Sequence, residues 1–548
     1  MTQKIALVGS DWDDDLRGWA SRAGLIPVVD VASADVVVTV RINAAELTVV
    51  GLDGFTQAQR DARFRLDSAD GSSSRLQLTA ASAQGRRLGL NAVARALRHG
   101  SWDSPETQVP KFAQRGVLEG FYGPPWSHAQ RLDMVDFLAD HDFNMLLLAP
   151  KDDASQRWDW REALDDVSLN RIGEIVARGA AAGVEVACCV SPGLSIHYSD
   201  SAEVDLLIKR LQQFYAVGVR RFGLLLDDIP EQFHYADDQA AFRSMAQAHA
   251  ALASEVGRRL WALDPAVALA LCPLVYHGMG DEPYLVELGR ALHPRIDLFW
   301  TGRDICSQRL DLLDAATFIR STWRPPLFWD NYPVNDVAMV GELHVGPLRG
   351  RDRHLYRLSA GLLANGMDRA EASKIAFATI GDYLRDPEGY DPDVSWLRAI
   401  REVAGPLDHE AFARFAENVL VSCLAVDDAP TLTSVLAKGW FRLESGDRVG
   451  ARTVLLDFAD LITSTAAWLL RPDSNNPVLI ADCEPWIREY ARGADALRDI
   501  VRVIDGDADA PLLRELLRGY THSATIATSP RVFADSLSMF IDDLLARP

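Results

Sequence analysis

The chain has 548 residues, which exceeds the size of one ordinary hydrophobic core and indicates two or three domains. Its content of 48% hydrophobic and 24% charged residues is typical of a globular protein. The 77 acidic residues outnumber the 56 basic ones and give a formal net charge of -21, which repels polyanions and argues against a nucleic-acid or anionic-membrane partner.

The N-terminus and the cysteines predict a cytoplasmic protein without a metal or cofactor. The first residues, MTQKIALVGSDWDDD, contain a short apolar run and do not match the apolar core of a signal peptide. No apolar run approaches the length that spans a bilayer, so we expect no membrane partner. The six cysteines are interpreted as reduced core residues, with Cys188 and Cys189 on opposite faces of a strand. Without a Cys-x-x-Cys or His-x-x-x-His pair, a zinc site is not expected.

Residues 1–110 predict a small α/β domain. The β-like runs KIALVG, ADVVVTV, LTVVGL and SRLQLTAAS are combined with the helical stretches DDLRGWASRAG and RRLGLNAVARALRHG. The segment SWDSPETQVP closes this zone and has the turn-forming and proline content of a linker.

Residues 112–390 repeat one pattern, in which a short apolar run is followed by loop residues and an amphipathic helix. Continuous apolar strands that alternate with helices are typical of a buried parallel sheet, and eight such units predict a (β/α)8 TIM barrel. A doubly wound open sheet is the alternative, disfavoured because no Gly-x-Gly-x-x-Gly follows the first strand. The predicted strands are 116–123, 144–150, 184–192, 221–228, 268–276, 296–302, 326–334 and 358–365.

Residues 395–548 have helical periodicity and few β signals, which predicts a C-terminal helical bundle. The clearest helical stretches are residues 408–426, 447–471 and 483–504, and RPDSNNP is a loop between two of them. A homodimer formed through this zone is compatible with the sequence.

Polar and aromatic residues lie at the ends of seven of the eight predicted strands. They form the segments EGFYG, APKDD, DDIP, PLVYHG, FWTG, WDNYPVND and ANGMD. In a TIM barrel the active site lies at this carboxyl end of the strands. Carboxylates, amides and aromatic rings are the usual lining of a sugar site, because ring faces stack on the C–H surface and polar groups bind the hydroxyls. We therefore expect a sugar site here.

Each of these residues also has a purely structural interpretation. A strand-end aspartate often caps the next helix, but adjacent carboxylates such as Asp227 and Asp228 cost stability and make this reading weaker for the pair. Lys151, taken alone, favours a solvated ion pair with Asp152 or Asp153. The functional interpretation therefore rests on the convergence of many residues at one end of the barrel. Several others suit turns or a core: Asn331, Asn365, Trp300, Trp329 and Tyr276.

Five motifs together resemble one known family. In order and spacing, RGVLEGFYGPPW, LLLAPKDD, LLLDDI, FWTG and WDNYPVND resemble the catalytic barrel of glycoside hydrolase family 84, over residues 112–390. The flanking zones are similar to that family's small α/β domain and C-terminal helical region. The family comprises β-N-acetylglucosaminidases that include O-GlcNAcase. The resemblance implies an exo-acting enzyme on terminal β-linked N-acetylglucosamine, with glycosylated Ser or Thr as one expected carrier.

The resemblance also implies substrate-assisted retention of configuration. The 2-acetamido oxygen of the substrate attacks the anomeric carbon and forms an oxazoline, which departs from the scheme with a protein nucleophile. Asp227 takes the place of the carboxylate that orients the acetamido N–H, and Asp228 that of the general acid and base. Because neighbouring residues on a strand point to opposite sides, we expect one of the two to lie in the loop.

Other matched positions imply contacts with the substrate. Gly120 matches a backbone contact to the sugar, and Lys151 and Asn365 match contacts to hydroxyls or to the acetamido side. Asp336 matches the carboxylate that binds hydroxyls at the far end of the ring. Asn331 matches a residue that hydrogen-bonds near the acetamido group and the catalytic pair.

Two aromatic residues match the walls of the acetamido pocket. These are Tyr276 and Trp329, and Tyr276 also matches a donor to the developing oxazoline oxygen. The chain departs from the family pattern at Pro124, Pro125 and Arg303, so we expect its substrate preference to differ on the aglycone side. Two alternatives remain: an endo-acting hyaluronidase, and a non-catalytic sugar-binding protein, which the intact aspartate pair disfavours.

Overall fold

The computed structural model describes residues 3–9, 12–49, 54–68, 74–99, 107–425, 429–507, 510–533 and 535–546. An α/β region, a closed eight-stranded parallel barrel and a helical region follow one another along the chain. The predicted fold class is confirmed.

The N-terminal region is a five-stranded sheet with helices. Its elements are β1 (Gln3–Val8), α1 (Asp14–Arg22), β2 (Leu25–Pro27), β3 (Val36–Ile42), α2 (Gln57–Asp61), β4 (Phe64–Ser68), β5 (Arg75–Ala80) and α3 (Ala83–His99). The strand order is β2-β1-β3-β5-β4, and only β4 runs antiparallel to its neighbour. Buried aliphatic side chains of the sheet and of α3 form a core of their own.

One strand prediction is wrong in this region, and one linker prediction is largely untested. The β prediction for LTVVGL is wrong for residues 47–49, which are irregular, and residues 50–52 lie outside the described part of the chain. The Leu47 carbonyl accepts a hydrogen bond from the Arg63 guanidinium at 3.2 Å instead of joining the sheet. Most of the predicted linker, residues 101–106, also lies outside the described residues.

The eight predicted barrel strands are all present and pair in parallel to close the sheet. They are β6 (Gln114–Glu119), β7 (Met145–Leu148), β8 (Glu185–Val190), β9 (Arg221–Leu225), β10 (Ala268–Cys272), β11 (Ile296–Trp300), β12 (Pro326–Asp330) and β13 (Gly361–Asn365). All but the last end two or more residues before the predicted boundary. The polar segments that follow the apolar runs therefore belong to loops at the carboxyl end of the barrel.

Side chains alternate between the inside and the outside of the barrel. Cys188 and Cys189 are neighbours on β8, and they belong to the outer and the inner core cluster respectively, as expected for adjacent strand residues. The inner cluster consists of Leu118, Met145, Leu147, Ala149, Ala187, Cys189, Leu225, Ala270, Cys272, Phe299, Leu327, Trp329 and Leu363. Trp300 is fully buried in the outer cluster, which confirms its structural interpretation.

Helices cover the outside of the barrel. They are α4 (His128–Asp140), α5 (Ala154–Arg157), α6 (Asp166–Ala182), α7 (Ser201–Ala216), α8 (Ala236–Ala241), α9 (Met245–Leu263), α10 (Pro283–Ala291), α11 (Leu312–Thr322) and α12 (Ala370–Arg385). Local sequence sets several of their starts: Ser127 and Gln130 form a capping box at α4, and Asp165 caps α6.

The C-terminal region is helical, as predicted. Its helices are α13 (Pro392–Ala404), α14 (His409–Ala416), α15 (Pro430–Glu444), α16 (Arg448–Leu469), α17 (Pro477–Asp505), α18 (Ala510–Ala524) and α19 (Ser536–Leu545). The predicted helices at 447–471 and 483–504 correspond to α16 and α17, and RPDSNNP lies between them. Within the described residues we find no helix with the length and apolar character needed to cross a membrane.

One predicted helix, residues 408–426, is wrong for residues 417–425, because α14 ends at Ala416, and residue 426 lies outside the described part of the chain. The Asn418 side-chain amide donates to the Arg414 carbonyl at 2.7 Å, and the backbone carbonyl of Asn418 accepts from the Phe533 amide at 2.8 Å. This local bond and the tertiary contact to Phe533 replace the next helical turn. The chain then runs to Cys423, whose thiol lies 3.9 Å from the Asn331 carbonyl beside the barrel mouth.

Candidate active site

A cavity of about 530 Å³ opens at the carboxyl end of the barrel. That volume falls within the range of roughly 300–1,000 Å³ that is usual for small-molecule sites. Residues at the carboxyl ends of seven strands, or in the loops after them, line it, and β8 contributes none. All nine residues that the sequence singled out are among them: Gly120, Lys151, Asp227, Asp228, Tyr276, Trp329, Asn331, Asp336 and Asn365.

Asp227 and Lys151 form a buried ion pair at the floor of the cavity. Their side chains are 6% and 4% exposed, and Lys151 Nζ donates to Asp227 Oδ2. Burial is the largest single influence and alone would lower the pKa of Lys151, but the charge and hydrogen bond of Asp227, together with Cys272 and Asp228, hold that pKa above its ordinary value. Asp227 Oδ1 is buried and has no hydrogen-bond partner among the described residues. A carboxylate oxygen in this position needs a donor from whatever enters the cavity.

The structural interpretation of Lys151 is therefore wrong, because its partner is not a sequence neighbour. Asp152 accepts from the Gly123 amide at 2.8 Å, and Asp153 caps α5 by accepting from the Ser155 amide at 2.9 Å. Both neighbouring carboxylates are thus occupied by backbone amides. Lys151 is left for Asp227, to which the barrel brings it.

Asp228 is exposed in the cavity and is held by two phenols. Tyr122 donates to Asp228 Oδ2 at 2.8 Å, and Tyr276 donates to Asp228 Oδ1 at 2.9 Å. Burial and the Asp228 carboxylate raise the pKa of Tyr276 above its ordinary value, so this phenol stays a proton donor. The carboxylate is thereby fixed in orientation from both sides.

Both aspartates lie beyond β9, which ends at Leu225, so the loop placement expected for one of them holds for both. Asp228 has a φ of 52°, in the left-handed region that residues other than glycine rarely adopt. In an extended strand two consecutive side chains would point to opposite sides. The turn at Asp228 allows the two neighbouring carboxylates to line one cavity.

A hydrogen-bonded network holds the opposite wall. Trp329 Nε1 and Asn365 Nδ2 both donate to Asn331 Oδ1, at 2.8 and 3.0 Å. Asn331 Nδ2 donates in turn to the Ile305 carbonyl at 2.8 Å, and Asn365 Oδ1 accepts from the Gly120 amide at 3.0 Å. The network fixes the plane of the Trp329 ring and links the carboxyl ends or following loops of four strands, β6, β11, β12 and β13.

Gly120 lies where no side chain fits. A Cβ at this position would stand 2.5 Å from Trp329 Cζ2 and 2.7 Å from Leu118 Cδ1. The backbone after β6 can therefore approach the ring closely only as glycine. This close approach brings the Gly120 backbone to the cavity surface.

Asp336 follows β12 and faces the cavity from the outer side. Its Oδ2 accepts from the Tyr122 backbone amide at 2.7 Å. Burial raises the pKa of the Asp336 carboxyl above its ordinary value, and the backbone hydrogen bond from Tyr122 and the Lys151 charge act against this. The mouth beyond Asp336 is apolar and is lined by Ile305, Val337, Ala338 and Met339.

The departures from the family pattern do not line the cavity. Arg303 donates to both carboxylate oxygens of Asp314 at 2.7 and 2.6 Å, and Pro124 and Pro125 lie outside the lining. Of the six cysteines, which are all free, Cys272 and Cys306 line the cavity. Cys306 and Cys423 are half-buried rather than core residues. In the described part of the chain no three His, Cys, Asp or Glu side chains are grouped so as to hold a metal ion.

Two site residues were not singled out by the sequence. Tyr122 lies in the quoted segment EGFYG, so its position at a strand end was a usable signal. Arg157, the last residue of α5, is buried and donates to the Tyr122 hydroxyl at 2.8 Å and to the Asp228 carbonyl at 3.0 Å. Nothing in the local sequence marks Arg157, because its partners lie on two other loops.

A closed parallel barrel with a carboxylate pair, amides and an aromatic wall at its carboxyl end has the architecture of a glycoside hydrolase. Comparison with known proteins identifies the family within that class. The chain belongs to the β-N-acetylglucosaminidase family, whose model matches residues 115–417. The resemblance to glycoside hydrolase family 84 is confirmed.

Similar proteins include Protein O-GlcNAcase of Rattus norvegicus and of Mus musculus. Each is 32% identical over 276 residues, which cover 49% of this chain and 30% of the relative. The match therefore spans less than a third of the length of these relatives.

Among solved structures, an O-GlcNAc hydrolase mutant of Thermobaculum terrenum is 31% identical with a TM-score of 0.76, covering 79% of this chain and 95% of that one. The protein CpGH84B is 22% identical with a TM-score of 0.79 over 99% of this chain and 96% of its own, and it shares the fold.

Proposed function

We propose that the protein is a retaining exo-β-N-acetylglucosaminidase that removes terminal β-linked N-acetylglucosamine, with O-GlcNAc on Ser or Thr as a substrate class. The proposal rests on one observation: two adjacent carboxylates lie in different environments. Asp227 is buried, paired with Lys151 and left with one oxygen unsatisfied, whereas Asp228 is exposed and held by two phenols. Environments that differ in this way are typical of carboxylates with separate roles.

Asp227 is the proposed partner of the substrate's 2-acetamido N–H. Its unsatisfied Oδ1 accepts this N–H, while the ion pair with Lys151 fixes the position of the carboxylate. The hydrogen bond turns the acetamido oxygen towards the anomeric carbon and makes it more nucleophilic. A precisely held nucleophile of this kind reacts as if at very high local concentration.

Asp228 is the proposed general acid and base. It gives its proton to the glycosidic oxygen as the bond from the anomeric carbon to the aglycone breaks and the acetamido oxygen bonds to that carbon. A water molecule then attacks the anomeric carbon of the oxazoline and returns a proton to Asp228, and the oxazoline opens to N-acetylglucosamine with retained configuration. The exposed position of Asp228 supports contact with both the leaving group and water.

The remaining wall residues are proposed to hold the sugar. Trp329 and Tyr276 enclose the acetamido group, and Asp336 binds hydroxyls at the far end of the ring. The amides of Asn331 and Asn365, together with Lys151 and the Gly120 backbone, complete the contacts. The support is that all these groups line one cavity, whose size suits a single terminal sugar better than a long chain.

The direct test is release of an aryl alcohol from an aryl β-N-acetylglucosaminide by the purified chain. We expect turnover with β-configured N-acetylglucosamine as the product first formed. Well-folded protein that binds N-acetylglucosamine without turnover would instead identify a sugar-binding protein. Cleavage inside hyaluronan chains, with no release from the aryl glycoside, would identify the endo-acting alternative.

A cytoplasmic location is part of the proposal and is supported by the six free cysteines.

A further inference from the structure

Arg157 is a buried arginine whose position the proposed substrate contacts do not explain. It is 6% exposed, and no Asp or Glu among the described residues lies within ion-pair distance of it. It does not line the cavity. A buried guanidinium without a carboxylate partner is costly unless its donors are well used. Here they serve the Tyr122 hydroxyl and the Asp228 carbonyl, at 2.8 and 3.0 Å.

The hydrogen bond from Arg157 fixes the direction of the Tyr122 hydroxyl proton. An arginine has only donors, so the Tyr122 oxygen must accept from it. The phenol's own proton is then directed to its other neighbour, Asp228 Oδ2, at 2.8 Å. The cation also makes this phenol a stronger donor, since a charge-assisted bond polarises the O–H. Tyr122 is thereby committed to Asp228 Oδ2.

This commitment distinguishes the two oxygens of Asp228. When Asp228 is protonated, the oxygen that carries the proton becomes a poorer acceptor and loses the hydrogen bond from its phenol. Arg157 holds the Tyr122 hydroxyl on Oδ2, whereas no described residue holds the Tyr276 hydroxyl on Oδ1 in this way. The Tyr276 bond is therefore the one that is lost, and the proton belongs on Oδ1. The other hydrogen bond of Arg157, to the Asp228 carbonyl, holds the left-handed turn that places this carboxyl in the cavity.

We propose that Arg157 is a positioning residue that acts through Tyr122 and the Asp228 backbone to place the transferable proton on Asp228 Oδ1. This inference rests on the proposed function, because it assigns the proton of that reaction to one atom. It also gives Tyr276 a second role: once Oδ1 carries the proton, the Tyr276 hydroxyl is free to donate to the substrate. Arg157 itself touches neither the substrate nor the reacting atoms.

The test compares good and poor leaving groups in Arg157→Met. A misplaced acid harms substrates that need protonation and spares those that do not. With an O-GlcNAc serine peptide we expect kcat to fall about 10- to 100-fold, and with a dinitrophenyl glycoside by less than about threefold, both with little change in KM. Tyr122→Phe should show the same pattern, because it removes the hydroxyl through which Arg157 acts.

Arg324 provides a matched control for the loss of a buried arginine. It is 9% exposed and donates to five backbone carbonyls between Gly289 and Thr322, before β12 and away from the cavity. Arg324→Met should affect both substrates by the same factor. A loss in Arg157→Met that is equal for both substrates, as in the Arg324 control, would show a merely structural role.

A double-mutant cycle tests the route through Tyr122. In a Tyr122→Phe background, Arg157→Met should cost clearly less on the peptide than it does in the wild type, since the shared path is already lost. Additive losses would contradict the proposal. Folded wild-type protein without turnover on either substrate would overturn the proposed function itself. Wild-type turnover with no leaving-group effect in Arg157→Met would overturn only the present inference.

Discussion

At the residue scale, the site depends on two neighbouring carboxylates that differ in burial and in hydrogen-bond partners. The barrel buries Asp227 against Lys151 and exposes Asp228 to two phenols, although the two residues are adjacent in the chain. The left-handed backbone at Asp228 is the local feature that makes this difference possible. The single substitutions below each remove one support of this arrangement.

Lys151→Met should damage both stability and activity. It leaves the Asp227 carboxylate buried without its cation, which costs about 3–5 kcal/mol in comparable buried pairs. Urea unfolding measures the loss, and aryl glycoside turnover measures the effect on the site. Lys374→Met is the matched control, because Lys374 is also buried and paired, with Asp133 and Glu371, away from the cavity. A Lys151 variant that unfolds like the wild type would contradict the buried-pair account.

Asp336→Asn should lower turnover and, relative to the wild type, raise the free energy of unfolding as the pH increases. Burial raises the pKa of Asp336, so its contribution to stability is present below its unfolded-state pKa and is lost as the pH rises through the folded-state value. Relative to the wild type, the variant should therefore gain stability between about pH 4 and about pH 7, while turnover falls. Unfolding free energies at the two pH values give the measurement.

Asp165→Asn is the control of opposite sign. The Ser168 backbone amide, which Asp165 caps at the start of α6, lowers the pKa of that carboxyl. The contribution of a carboxyl with a lowered pKa is present above its unfolded-state pKa and is lost as the pH falls through the folded-state value. Relative to the wild type, this variant should therefore lose stability from about pH 2 to about pH 5 and stay level from there to about pH 7. The same trend in both variants would refute the assignment of the Asp336 shift.

Gly120→Ala should lower turnover, because a Cβ there would overlap Trp329 Cζ2 at 2.5 Å and displace the aromatic wall. We expect a stability cost of about 1–3 kcal/mol from overpacking. Gly519→Ala is the matched control: its Cβ would meet no atom within 4 Å, and α18 should gain about 0.5–1 kcal/mol. Unchanged turnover in Gly120→Ala would show that the Trp329 ring need not be fixed.

The sequence indicated the cavity-lining residues better than it indicated their partners. Strand-end position and family resemblance selected the nine predicted residues, all of which line the cavity. The partner of Lys151 lies 76 positions away, so local reasoning favoured its acidic neighbours wrongly. Arg157 escaped notice for the same reason, because only the closed barrel brings it to Tyr122 and Asp228.

At the element scale, β8 takes part in the site without lining it. The Gln156 side chain donates to Ser191 Oγ at 3.1 Å, and the Ser191 amide donates to the Gln156 carbonyl at 2.9 Å. These bonds hold α5 against the end of β8, and α5 carries Arg157. Through α5 and Arg157, β8 thus supports the position of Asp228 indirectly.

Gln156→Ala should therefore weaken catalysis in the same manner as the loss of Arg157, but to a smaller extent. Loss of the Ser191 contact loosens α5 and with it the bond to Tyr122, so the peptide substrate should suffer more than the dinitrophenyl glycoside. Turnover of both substrates gives the measurement. Equal effects on the two would show that α5 is held without this side chain.

The barrel strands were predictable because a strand buried on both faces is a continuous apolar run. Elements set by tertiary contacts were not. Residues 417–425 continue a helical pattern, yet the Phe533 amide and the Asn418 side chain end α14 at Ala416. The short strands β2 and β4 lie at sheet edges and carry too few residues for a clear period.

At the scale of the whole molecule, the barrel and the helical region share one core. Buried residues of α12 and of the loop after β12 belong to the same cluster as those of α16 and α17. Trp486 Nε1 donates to the Gly341 carbonyl at 2.8 Å, and Asp482 accepts from the first amides of α12 at 3.0 and 3.1 Å.

We propose domain boundaries near residues 110 and 390–395, but expect the last two domains to unfold together. The homodimer stays a prediction, which light scattering in solution would test.

Trp486→Ala should destabilise the barrel as well as the helices. Removal of a buried tryptophan costs about 3–5 kcal/mol. Circular dichroism and loss of turnover should shift to the same lower temperature in one transition. Val449→Ala, at a position 76% exposed, should change the midpoint little. Two separate transitions in Trp486→Ala would contradict a shared core.

The proposed division of roles is that Asp227 holds the substrate's own nucleophile while Asp228 moves the proton. Its most direct test is the turnover of Asp227→Ala and Asp228→Ala on a series of aryl β-N-acetylglucosaminides with increasingly acidic leaving groups. Asp228→Ala should recover towards wild-type kcat on the most activated substrates, which need little protonation. Asp227→Ala should stay impaired across the whole series, because every substrate needs its acetamido group oriented. Equal losses for both variants on good and poor leaving groups would contradict the account.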